Sequence, residues 1–163
     1  MMSLLVTTAL ATVPVAAHAQ GQLVALQAPD GRGRPFDLSS LRGSVVAVTF
    51  VSRYTQDEAS RVNQALGARS DVKVVSVVDF TGIPGFVHNY ARRKVAEADG
   101  GKVRLLCDED GSWRQRFGAH PDKRVDIFVV DRDGGLRGHF QGAQQLESAL
   151  RLLDEVRAAQ AER

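Results

Sequence analysis

The residues best equipped for chemistry are few. Arg53, Tyr54, Thr55, Gln56, Asp57 and Glu58 form one polar run between an apolar segment and a helical pattern. It offers an arginine and an aromatic, residue types that dominate binding hot spots, and two carboxylates, but no cysteine, histidine or glycine cradle. Thr55 as N-cap with Glu58 three residues later reads as a capping box, and Asp57 and Glu58 suit the positive end of a helix. Arg53 and Tyr54 are left over for binding. Cys107 is the single thiol, so neither an intramolecular disulfide nor a two-thiol cycle can form. Asp108, Glu109 and Asp110 follow it and oppose a thiolate. Cys107 is therefore expected as a small buried hydrophobe, with a one-cysteine enzyme or pairing to another chain as alternatives. His88, His120 and His139 lack the paired spacing of metal ligands, so no metal is expected. Asp108, Asp110 and Gly111 leave most positions of a calcium loop unfilled, and read as a turn and helix cap.

The elements that must hold these residues follow from hydrophobic period. Residues 23–26 and 35–38 are short apolar pieces around Asp30-Gly31-Arg32-Gly33, which predicts a hairpin at the edge of a main sheet. A brief helical turn from Ser39 or Ser40 to Gly43 then leads into 45–51, an apolar run expected as a strand covered on both faces. Ala59, Val62, Ala65 and Leu66 recur at helical spacing, with Gly67 as terminator, and 72–78 is a second buried strand. Together they predict a βαβ unit.

DFTGIPG at 79–85 interrupts the pattern, and Phe86, Val87, Tyr90, Ala91, Val95 and Ala98 predict a helix with Arg92, Arg93 and Lys94 as a solvated face. Residues 103–107 form a third strand, followed by a short helix holding Trp113 and Phe117. A fourth strand at 125–130 joins 136–140 through a D-G turn, predicting an antiparallel hairpin. Leu146, Ala149, Leu150, Leu153 and Val156 mark a last helix over 144–157.

At 163 residues the chain suits one domain. Lys+Arg 21 against Asp+Glu 19, interspersed, argues against a nucleic-acid partner and a polybasic membrane anchor. Residues 1–19 are largely apolar and end in Ala17-His18-Ala19, a small-x-small pattern that predicts a signal peptide cleaved after Ala19. The apolar run is too short to span a membrane. It lacks a preceding Lys or Arg, which a start codon placed too far downstream accounts for; an N-terminal helix of the fold is the alternative. Residues 20–163 are then the mature, exported domain, bacterial periplasmic or secreted, with no stable membrane insertion.

Three stretches, taken in order, resemble the thioredoxin-like superfamily, in the extended form of the redoxins: peroxiredoxin-type (AhpC/TSA) and TlpA/ResA-type proteins. They are 43–58, VRLLCDEDGSWRQRFG at 103–118, and IFVVDRDG at 127–134. The resemblance implies an α/β thioredoxin-like fold, a central mixed β-sheet flanked by helices, with an N-terminal β-hairpin. Where TlpA-type proteins carry W-C-x-x-C, this chain has Tyr54, Thr55, Gln56, Asp57 and Glu58. Where peroxiredoxins place a threonine and a peroxidatic cysteine it has Thr55 and Glu58, and a carboxylate cannot replace the attacking thiolate. The family's cis-proline falls at Val125, where a trans bond is expected; the peroxiredoxin arginine also falls at Val125, with Arg124 one position early. Gly82-Ile83-Pro84-Gly85 and 129–134 are further similar to the exported YtfJ-type family, which has a cysteine-free loop.

The resemblance implies an exported protein without the catalytic CxxC or peroxidatic cysteine, needing no cofactor and acting as a binding or interaction module. A protein or peptide partner in the cell envelope would lie against Arg53, Tyr54, Thr55, Glu58 and Arg124, before Ile127. The alternative is a redoxin-like thiol oxidoreductase or peroxidase using Cys107 with an external thiol. A third reading is a small molecule held at the 80–86 loop.

Overall fold

The computed structural model describes residues 27–161. The expected signal peptide and the apolar piece at 23–26 lie outside them. Two short strands, β1 (Gln27–Pro29) and β2 (Pro35–Asp37), pair antiparallel. The hairpin is thus present around the expected turn. Asp30 decides this: its carboxylate accepts the backbone N–H groups of Arg32 and Arg34, each at 2.9 Å, so the turn closes beside it. Asp30 also bridges antiparallel to Leu106, placing the hairpin at the edge of the main sheet.

That sheet has five strands: β3 (Val46–Val51), β4 (Lys73–Asp79), β5 (Val103–Asp108), β6 (Asp126–Val130) and β7 (Leu136–Gln141), ordered β5-β4-β3-β6-β7. β3 is parallel to β4 and antiparallel to β6; β4 and β5 are parallel, β6 and β7 antiparallel. Every residue of β3 and β6 is buried, as central strands covered on both faces require.

The period of two divides the apolar residues between two cores. Val46, Val48 and Phe50 pack with Val75, Val77, Phe128 and the short helix α3 (Ser112–Phe117) on one face. Ala47 and Val51 pack with Val74, Ile127 and Val129 on the other, under α1 (Gln56–Gly67) and α4 (Leu146–Ala161). A smaller cluster of Phe80, Val95 and Cys107 seats α2 (His88–Ala98).

Two expected members of α2 depart from its buried stripe. Phe86 is 89% exposed and Tyr90 57% exposed. The helix begins only at His88, after a 3-10 turn over Gly85–Val87, because His88 Nε2 bonds the Ile83 carbonyl at 2.8 Å and its ring meets Phe80 edge-on.

Candidate functional site

The loop leaving β3 is set by two hydroxyls. Thr55 is buried, and its Oγ1 accepts the Ser52 N–H at 3.0 Å. Ser52 Oγ donates to the carbonyl of Pro121 at 2.9 Å, and Thr55 Oγ1 lies 3.3 Å from the same oxygen. One carbonyl of the 119–125 loop is therefore gripped by the loop where the resemblance puts catalytic thiols.

The capping box expected of Thr55 and Glu58 does not form. Thr55 occupies the N-cap position without a side-chain cap bond, since its hydroxyl is engaged with Ser52 and Pro121. Glu58 reaches outward from the helix: one carboxylate oxygen accepts the Val125 N–H at 2.8 Å, the other the Ala143 N–H at 2.9 Å. It pins the first turn of α1 to the entry of β6 and to the β7–α4 connection. No cis peptide occurs among the described residues. Val125 instead keeps an N–H that Glu58 uses, a donor that proline at this position would lack.

Asp126, fully buried, completes the brace. Its carboxylate accepts the His120 N–H at 2.8 Å, contacts His139 Nε2 at 2.6 Å and accepts from Gln141 Nε2 at 3.1 Å. The Val125 carbonyl accepts the Gly142 N–H at 2.7 Å. Sequence reasoning passed over Ser52 and Asp126; the signal for the latter was a lone carboxylate inside an apolar strand run.

Of the expected binding residues, Arg53 and Tyr54 stand free at the surface. Tyr54 is 64% exposed, and the Arg53 guanidinium lies over its ring, 4.5 Å from the centroid, while also contacting its hydroxyl. Arg124 is exposed on the adjoining loop, outside any strand, and donates to Gln144 Oε1 at 2.7 Å. Thr55 and Glu58 lie between these two segments with their polar atoms consumed internally. The fold thus joins the 52–58 and 119–125 loops, and divides the named residues into an outward group and a bracing group.

Cys107 has no solvent exposure, and burial first, then the Glu109 carboxylate, pushes its thiol up to about 12; Arg92 acts weakly the other way. The Arg92 guanidinium is instead held by both oxygens of Glu109, each at 2.6 Å. Asp108 and Asp110 serve the start of α3: Asp108 accepts the Trp113 and Arg114 N–H groups and Asp110 accepts that of Ser112. The 80–86 loop is divided, with Phe80 in the core and Ile83 and Pro84 on the wall of a hollow between α1 and α2.

No protein-family model and no curated protein matches the sequence. Solved structures do match. An exposed lipoprotein thioredoxin, Etrx1, from Streptococcus pneumoniae is 16% identical over 81% of this chain and 99% of its own, with a TM-score of 0.65. The dsbF protein of MTB is 22% identical over 89% of this chain and 99% of its own, at 0.61. A secreted Mycobacterium tuberculosis disulfide oxidoreductase is 20% identical over 82% and 96%, at 0.57. At these identities the matches establish the fold, and this chain has the thioredoxin-like one.

Proposed function

We propose that this protein is an exported thioredoxin-like binding module, which engages a protein or peptide partner in the cell envelope without thiol turnover. The observation that carries the reading is the state of the loop after β3. Thr55 at its end and Glu58 in the first turn of α1 brace the 119–125 loop, while Arg53 and Tyr54 face solvent as a stacked pair. Such an aromatic–arginine pair offers a large rigid contact area with a charged edge. Arg124, exposed on the neighbouring loop that Thr55 and Glu58 brace, is the third residue we assign to the partner.

Export is part of the proposal. The small-x-small pattern at Ala17-His18-Ala19 supports it, as do the exposed and secreted placements stated for two of the fold relatives. The thiol-enzyme alternative requires a thiolate at Cys107, and burial opposes one.

The test is a photocrosslinking amino acid placed at Gln56, which is exposed beside the pair, in cells expressing the full chain. A discrete adduct that disappears with Arg53→Ala plus Tyr54→Ala and persists with Cys107→Ser is the expected result. Thiol reductase or peroxidase activity in the wild type that Cys107→Ser abolishes would overturn the reading.

A further inference from the structure

The helices α1 and α2 stand apart on the same face of the sheet, and the gap between them is open. It forms a hollow of about 670 Å³ that continues, past Ser60 and Asn63, into a second of about 510 Å³. The first lies within the range of ~300–1,000 Å³ usual for small-molecule sites. Val78, Val87, Ala91, Val95 and Leu105 give it apolar walls and floor.

Charge on this surface is one-sided. Every charged residue lining the two hollows is basic: Arg53 and Lys94 in the first, Lys102 in the second. This occurs on a chain whose overall charge is only +2. Lys94 is neutralised by Glu97 at 2.7 Å. Among the described residues no carboxylate lies within ion-pair distance of Arg53, whose fork geometry suits a carboxylate ligand.

The walls also decide what kind of ligand fits. The two long sides are the helices α1 and α2, whose backbone groups are bonded internally, and the remainder is the 80–87 segment and the sheet. Two polar side chains of the lining are already satisfied: Asn63 of α1 accepts from Thr49 Oγ1 and donates to Ser76 Oγ, each at 2.9 Å. A peptide laid here would bring its amide groups against largely apolar walls, where an unpaired amide is costly. A hydrocarbon chain carries no such groups.

We propose that this groove binds a free fatty acid, its carboxylate on Arg53 and its acyl chain running between α1 and α2 toward Ala98 and Leu105. This site shares Arg53 with the proposed partner face but not Tyr54 or Arg124, and the tryptophan positions Ser60 and Ala98 lie outside that face, so the two readings fail separately. The proposal is tested by calorimetric titration of the full chain with laurate, with dodecan-1-ol as the uncharged comparison. Saturable laurate binding is expected, weakened at least ~tenfold by Ser60→Trp or Ala98→Trp, which fill the groove from exposed positions. Arg53→Glu should weaken laurate by about as much, leave dodecan-1-ol unchanged, and exceed the effect of Lys102→Glu. Circular dichroism and urea midpoints identify any variant that fails to fold, and the second tryptophan position then replaces it. Three outcomes would overturn the proposal: laurate binding indifferent to both tryptophans, dodecan-1-ol binding as tightly as laurate, or displacement of laurate by an alanine-rich acidic peptide at equal concentration.

Discussion

Cys107 and Glu58 show how a residue's surroundings override its type. A thiol held near 12 is ionised in about one molecule in 10⁵ at pH 7, so iodoacetamide should leave native protein unlabelled and react at once after urea unfolding. The same shift has a stability consequence. The unfolded thiol ionises near its ordinary 9.0 while the folded one does not, so below that pH Cys107 adds no pH dependence. Between about 9 and 12 the unfolded state alone loses the proton, and stability falls by up to ~1.4 kcal/mol per pH unit. Comparing urea midpoints at pH 8 and pH 11, Cys107→Ala should show the smaller alkaline loss. At Glu58 the argument is hydrogen bonding. Glu58→Ala orphans the N–H of fully buried Val125 and should cost ~1–3 kcal/mol, whereas Glu58→Gln keeps one acceptor and should cost less, read by chemical denaturation.

Among the elements, the turn at residues 30–33 and the helix α2 are packed backbone to backbone. A Cβ built on Gly31 would lie 2.3 Å from the Ala96 amide nitrogen and 2.7 Å from the Arg92 carbonyl oxygen, and helix backbone cannot yield as a side chain would. Gly31→Ala should therefore destabilise by ~1–3 kcal/mol in a thermal or urea melt. Gly33, three residues from the same Asp30, has open space around its Cβ position, but its φ of 77° makes a side chain strained there for a different reason. The contrast between α1 and α2 is also one of elements. Glu58 ties α1 to β6 and to the β7–α4 connection, and α2 is held through Phe80, Val95, Cys107 and the Arg92–Glu109 pair. Neither helix packs fully on the other, which leaves the groove.

For the whole molecule, the sheet sets a gradient of stability. β3 and β6 are buried throughout, whereas β7, at an edge, is exposed at every second position and fully buried only at Gly138. Native-state hydrogen exchange should find the slowest amides in β3 and β6, opening only with global unfolding, and the fastest among the strands in β7. The expected order would fail if β7 amides exchanged as slowly as those of β3.

The sequence by itself determined the order of elements, because each buried face leaves a local period: two along 45–51, 3.6 along Ala59, Val62 and Leu66. It determined that a single thiol sits beside acidic neighbours and that the strand-to-helix loop has none. What only the tertiary structure decided are the interactions between segments far apart in the chain. Thr55 and Glu58 have the local signature of a capping box, yet partners 66 to 85 residues away claim both side chains. Burial of Cys107 depends on Phe80 and Val95 arriving from another strand end and another helix. Phe86 and Tyr90 carry the apolar types of a buried stripe but stand in solvent, since the turn set by His88 rotates them outward. The groove between α1 and α2 has no sequence signal at all: a gap is a property of how two helices are spaced on a sheet, and no residue of either encodes it alone.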